Sequence, residues 1–146
     1  MHRELITFEV GGQVFGLDIM AIREIRAWTP TTRLPHVPYY VAGVVNLRGT
    51  VLPVIDLAAR LGWEATEPTP RHAIIVTQLG AKACGLIVDS VSDIVTISQD
   101  QLQPPPVSAN DSITHFLEGL AAIDERMVMV LNLAALGDGD QFGEAA

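Results

Sequence analysis

The sequence predicts an all-β chain with minor α content, folded as two small barrels packed together. Three observations lead there. Apolar and polar residues alternate over short runs such as Leu5 to Val10, the two-residue period of a half-buried strand. Glycine turns at Gly11-Gly12 and Arg48-Gly49 punctuate the runs, as hairpins require. And the chain repeats itself, which marks a duplicated unit.

The repeat runs at two offsets. Leu5 to Leu17 recurs as Ile74 to Leu86, 69 residues on, aligning Gly11 with Gly80 and Gly16 with Gly85. At the same offset Ile19, Ile22, Glu24 and Ile25 match Val88, Val91, Asp93 and Ile94. Thereafter the offset is 76: Tyr40-Val41-Ala42-Gly43 matches Phe116-Leu117-Glu118-Gly119, and Val51 to Ala59 matches Met127 to Ala135. The extra residues of the second copy lie in the loop holding Pro104-Pro105-Pro106. The 146 residues read as a single domain: unit 3–62, linker 63–71 with Pro68 and Pro70, unit 72–137, and an acidic, glycine-rich tail 138–146. Units of about 60 residues bury too little surface to be robust alone, so the two are expected to pack on each other.

Each copy predicts the same elements. In the first, Leu5 to Val10 and Gln13 to Leu17 form a hairpin. Ile19 to Ala21 is a single helical turn. Ile22 to about Trp28 is a strand, because its match in the second copy runs into β-branched Ile94-Val95-Thr96-Ile97. Val44 to Leu47 and Val51 to Asp56 pair across Arg48-Gly49, and Leu57 to Leu61 is a short helix closed by Gly62. Five short antiparallel strands per copy curl into a barrel, which removes exposed edges. The helices Leu57 to Leu61 and Leu133 to Leu136 then plug or bridge the barrels.

Composition excludes several classes of function. Nine Lys and Arg against 17 Asp and Glu leave a net charge of −8. A phosphate backbone or an anionic membrane surface would be repelled. The apolar stretch Val41 to Leu61 is broken by Asn46, Arg48, Gly49, Pro53 and Asp56, so it is no membrane span. The N-terminus lacks the apolar core of a signal peptide. With one cysteine, Cys84, no intrachain disulfide forms, which suits a reducing cytoplasm. In its apolar setting Cys84 reads as a small hydrophobe.

Catalytic chemistry is not legible. His2, His36, His72 and His115 are scattered at no ligand spacing, so neither a metal nor a cofactor is expected. No nucleophile elbow, phosphate loop or dinucleotide fingerprint occurs. Asp89, Asp93 and Asp100 read as solvated strand ends and turns. A small β-barrel hydrolase or ligand-binding protein would need a polar cluster in a pocket, and the sequence offers none.

Function is sought where the copies diverge. Asn46-Leu47-Arg48-Gly49 in the first becomes Ala122-Ile123-Asp124-Glu125 in the second. Glu24, flanked by apolar residues, is a candidate partner for Arg48, since a guanidinium offers a carboxylate two parallel hydrogen bonds. The pair fixes the hairpin, is displayed at a binding groove, or does both.

At these residues the sequence resembles the CheW family of bacterial chemotaxis adaptors, from about Glu4 to Leu136. The matching blocks are Phe15 to Ile19 with Ile22 to Ile25, Gly43 to Leu57, and Gly85 to Ile94. The middle block is specific, because an Asn-Leu-Arg-Gly hairpin before an apolar strand with Pro53 and Asp56 is rare. The resemblance implies two SH3-like five-stranded barrels and a non-enzymatic coupling role. It implies binding to a chemoreceptor's cytoplasmic tip and to the regulatory domain of the histidine kinase CheA, with further CheW copies in rings. It implies a structural ion pair of Glu24 with Arg48, and a receptor groove at Ile22, Glu24, Gly43, Asn46, Arg48 and Val88, to which Val91 is added because a docking helix needs an apolar lining with Ile22 and Val88. The segment Trp28 to Val37, with Trp28, Thr29, Arg33 and Val37, is the candidate contact for CheA. A CheV-like module, or a scaffold serving pili or second-messenger control, remains open as an alternative.

Overall fold

The computed structural model describes residues 2–79, 82–104 and 112–137. Strand β1 (His2–Val10) turns at Gly11-Gly12 into β2 (Gln13–Asp18). Asp18 then accepts the Met20 N–H at 2.9 Å, starting a single 3-10 turn, Ile19–Ala21, that leads into β3 (Ile22–Ala27). β4 (Val41–Leu47) and β5 (Thr50–Asp56) form the next hairpin, and α1 (Leu57–Arg60) follows. Asp56 caps α1 and also accepts both the backbone N–H and the hydroxyl of Thr66, which ties the linker down. The second copy runs through β6 (Ala73–Leu79), β7 (Lys82–Val88), β8 (Ser90–Ser98), β9 (Leu102–Gln103), β10 (Leu117–Ile123), β11 (Arg126–Leu131) and α2 (Leu133–Gly137). The loop beyond Pro104, Gly80 and the tail lie outside the described residues. Among the described residues no helix is long and apolar enough to cross a membrane.

The strands form two sheets, ordered β8-β1-β2-β11-β10-β9 and β3-β6-β7-β5-β4. Each sheet takes strands from both copies, which corrects the expectation that each copy curls into its own barrel. Hairpin β1–β2 joins β11 in parallel, and hairpin β6–β7 joins β5 in parallel. The reason lies in the connections. Only the three-residue turn separates β2 from β3, and only Asp89 separates β7 from β8. Links this short carry the chain onward into the other sheet rather than back onto its own copy. A lone hairpin is marginal, so each is completed by strands of the other copy.

The two sheets are equivalent in detail. Gly16 stands opposite Val130 and Gly85 opposite Val54, as the repeat predicts. A Cβ on Gly16 would lie 3.1 Å from Val128, and one on Gly85 2.7 Å from Ile74. Both sheets close on themselves. After β8, the turn Gln99–Gln101 bends the chain so that β9 pairs with β10, making six strands where five were expected. The counterpart in the other sheet is the single bridge Thr32–Val44.

Three apolar clusters follow from this layout. Val45, Leu47, Leu52, Val54, Ile74, Val76 and Ile87 fill one barrel. Leu5, Ile97, Ala121, Ile123, Val128 and Val130 fill the other, at matching positions of the repeat. The largest cluster lies between them, where Phe8, Phe15 and Leu17 meet Ile55, Leu57, Ile75, Leu86 and Leu136.

Both later hairpins turn through two residues with positive φ: Arg48 at 53° and Gly49 at 87°, Asp124 at 50° and Glu125 at 67°. This is the primed turn that matches strand twist. Glu125 occupies the position that Gly49 fills, and a side chain there is unfavourable by about 1 kcal/mol. Glu125→Gly is therefore expected to raise the unfolding free energy by about 1 kcal/mol in urea titration; a lowered midpoint would contradict this account.

Candidate functional site at the Arg48 hairpin and the seam between the barrels

The pairing of Leu47 with Thr50 leaves Arg48 and Gly49 as the turn. Asn46 Oδ1 accepts the Gly49 N–H at 2.9 Å, so Asn46 locks the turn. The turn sends Arg48 over β3, where Nη2 donates to Glu24 Oε2 at 2.5 Å. The other Glu24 oxygen accepts from Arg26 Nη1 at 3.1 Å. Arg26 lies two residues on and hence on the same face of the strand, a signal that the sequence carries. The Arg48 side chain is 67% exposed and that of Glu24 27%.

Hydrogen bonding from Arg48, and then from Arg26, holds the Glu24 carboxyl below the usual carboxylate range. Glu24 in turn raises Arg48. A folded-state value below the unfolded one stabilises the fold above the unfolded pKa, and that stabilisation is lost as pH falls through the folded one. The stability difference between the parent and Glu24→Gln should therefore shrink as pH falls from neutral into and below the ordinary carboxylate range. Urea titrations at several pH values check this.

The second copy seals the same seam differently. Asp93 stands where Glu24 does, accepts the Thr7 hydroxyl at 2.5 Å and lies 3.8 Å from Arg126. The carboxylate thus recurs, while the cation moves from the turn to the first residue of β11. Comparison of hairpins alone sees the lost arginine and misses its replacement. What the second barrel lacks is an exposed cation on the turn itself.

Counting Glu24 with the first hairpin and Arg126 with the second, the two hairpins and the strands beside them carry equivalent exposed apolar residues and opposite net charge. One carries Arg23, Arg26 and Arg48, with exposed Ile25 and Val51. The other carries Asp93, Asp124 and Glu125, with exposed Ile94 and Met127 at the equivalent positions.

The remaining candidate residues sit at the two separate points where the chain crosses between sheets, and neither Ile22 nor Val91 lines the groove itself. Ile22 opens β3, and Val91 is its counterpart in β8. Both are half-buried against the central cluster. Val88, expected to line the groove, is corrected to a core position: it is 1% exposed, because it ends a strand covered by the central cluster. Gly43 is likewise buried, at a bulge in β4. The groove between the sheets is lined instead by Leu17, Met20, Ala21, Gln78 and Leu131. Arg3 spans its wall, donating to Asp18 at 3.2 Å and to Glu118. Glu118 and Asp18 together hold the Arg3 guanidinium in its charged form. Met20 is 88% exposed. It sits mid-turn, where no periodicity singles it out.

In the other candidate segment, Trp28 is half-buried against the interior of its barrel; its backbone N–H donates to the His72 carbonyl, while its buried indole N–H has no hydrogen-bond partner among the described residues. Thr29 and Arg33 are exposed, and Val37 packs on the central cluster. The exposed apolar side chains there are Leu34 and Tyr39. Cys84 is half-buried, its sulfur 3.4 Å from the Thr77 hydroxyl.

A family model for the CheW-like domain matches residues 4–141. The chain belongs to the CheW family. It is 53% identical over 134 residues to a probable chemotaxis protein CheW of Rhizobium etli, covering 92% of this chain and 86% of that protein. It is 54% identical over 131 residues to the chemotaxis protein CheW of Rhizobium meliloti, covering 90% and 84%. Its fold is similar to the crystal structure of scaffolding protein TtCheW from Thermoanaerobacter tengcongensis, with a TM-score of 0.84 and 32% identity over 94% of this chain and 89% of that one. CheW-family proteins are non-enzymatic adaptors, and this chain is a chemotaxis adaptor of that kind.

Proposed function

We propose that this CheW-family chain works in the cytoplasm, coupling the tip of a chemoreceptor to the regulatory domain of the histidine kinase CheA. The observation that carries the reading is the division of the surface. A groove runs between the barrels, and two equivalent barrel ends carry like apolar residues and opposite charge. A receptor tip is a helical hairpin, and a helix docks by laying an apolar stripe into such a groove. Met20, Leu17 and Leu131 in the groove, with Ile22 next to Ala21 in sequence, supply apolar contact, while Arg48 on its turn sets register. The opposed ends suit head-to-tail contact with a barrel of the same type, whether of the kinase or of another copy of this chain. Contacts of that kind generate rings when the rotation closes. Thr29 and Arg33 are the exposed members of the segment assigned to the kinase.

The test is co-sedimentation with a receptor signalling-tip fragment and, separately, with the CheA regulatory domain. Failure to bind either one overturns the reading. Arg48→Ala should lower affinity for the tip by about tenfold or more, as loss of an arginine anchor does. Its melting temperature should change little, because exposed ion pairs contribute weakly. A much earlier melt with affinity retained would make Arg48 a structural residue only.

A further inference from the structure

Arg60 ends α1, whose Leu57, Ala58 and Ala59 are buried in the central cluster. Its guanidinium carbon lies 4.4 Å from the centroid of the Tyr40 ring and 4.7 Å from that of Phe116. Its Nε donates to the Leu136 carbonyl at 2.9 Å. These partners are related by the repeat. Phe116 is the counterpart of Tyr40, and Leu136 is the counterpart of Arg60, both at the offset of 76. The arginine is thus flanked by two equivalent rings and bonded to the backbone of its own counterpart. That is the local pseudo-twofold axis, and one cation there excludes a second, because facing guanidiniums repel. Both rings are buried. A planar guanidinium stacks on both rings while its Nε–H donates to the Leu136 carbonyl, a combination that the compact lysine ammonium does not reproduce.

We propose that Arg60 is a positioning residue that sets the angle between the two barrels, and through it the width of the groove between them. Among the described residues, the chain passes between the sheets only at the 3-10 turn after β2 and at Asp89. Such short tethers hold the barrels together without fixing their angle. The angle is set by packing in the central cluster, where apolar contacts are non-directional. Arg60 adds directional contacts to both copies at once.

The direct test is pulsed dipolar distance measurement on the full chain. Nitroxides are placed at Val51→Cys and Met127→Cys, equivalent exposed positions on the two barrels, in a Cys84→Ser background. Arg60→Lys and Arg60→Leu should broaden or shift the distance distribution; a distribution matching that of Arg60 in both variants overturns the proposal. Arg60→Lys keeps the test open if the leucine variant does not fold. A second arm, on unlabelled protein, rests on the adaptor reading above. Affinity of Arg60→Lys for the receptor tip should fall several-fold, while affinity for the CheA regulatory domain, assigned to one barrel end, stays within twofold. A shifted distance with tip affinity retained upholds Arg60 and overturns the groove as the tip's site. Equal loss of both affinities with unshifted distances marks a general stability effect and overturns the positioning role.

Discussion

Gly43→Ala is expected to destabilise the protein by about 3 kcal/mol and to lower its melting temperature by roughly 10 °C. The reason is local and steric. Gly43 has φ of +152° and sits at the bulge where Val41 pairs with Ile55 but Gly43 pairs with Val54. A Cβ there would lie 2.3 Å from the Thr32 carbonyl oxygen, a backbone atom that cannot swing aside. The Thr32–Val44 bridge that closes the sheet would have to open. The second copy provides a control. A Cβ on Gly119 would lie 2.5 Å from the Gln103 carbonyl oxygen, at the equivalent closure, so Gly119→Ala should show a loss of similar size. Urea or thermal unfolding of both variants checks this. A Gly43→Ala protein of unchanged stability would show that the bulge relaxes freely. It would also return Gly43 to the list of surface candidates, whereas the expected result assigns any loss of partner binding there to the fold.

Phe15→Ala should lose about 3–5 kcal/mol, a large share of the 5–15 kcal/mol that holds a domain folded. Phe15 is fully buried in the cluster between the barrels. Its ring centroid lies 6.1 Å from that of Phe8 and 5.9 Å from that of Trp63. Its backbone pairs with Met129 where the first hairpin joins strands of the other copy. Truncation leaves a cavity in the cluster at the junction of both repeats. Phe15→Leu, which keeps most of the volume, should lose much less. Similar melting curves for the two variants would mean that the central cluster repacks, contrary to its reading as the joint of the molecule.

Much of the candidate site was legible because its signals are local. The Asn46-Leu47-Arg48-Gly49 turn specifies a two-residue hairpin, and that hairpin aims Arg48 back at β3, where Glu24 needs a cation. Arg26 could have been added from strand alternation alone. Other residues were legible only in type. Val88 reads as an apolar strand residue, but periodicity does not say whether its face meets a partner or the central cluster. The Asp93–Arg126 pair joins β8 to β11, and no short-range pattern connects them. Met20 owes its exposure to a three-residue turn placed at the rim of a groove that exists only once two sheets meet.

By itself the sequence determined the strands other than β9, the turns at Gly11-Gly12, Arg48-Gly49 and Asp124-Glu125, the duplication and the family. All of these rest on alternation, turn chemistry and motif, which act over a few residues. Only the tertiary structure decided that the copies trade their first hairpins, that Gly43 and Val88 serve the interior, and that one arginine stands on the axis between equivalent rings. Those outcomes depend on which distant segments pack together. Short links at Ile19–Ala21 and Asp89 make the trade, and burial of apolar surface in the cluster between the barrels holds it in place.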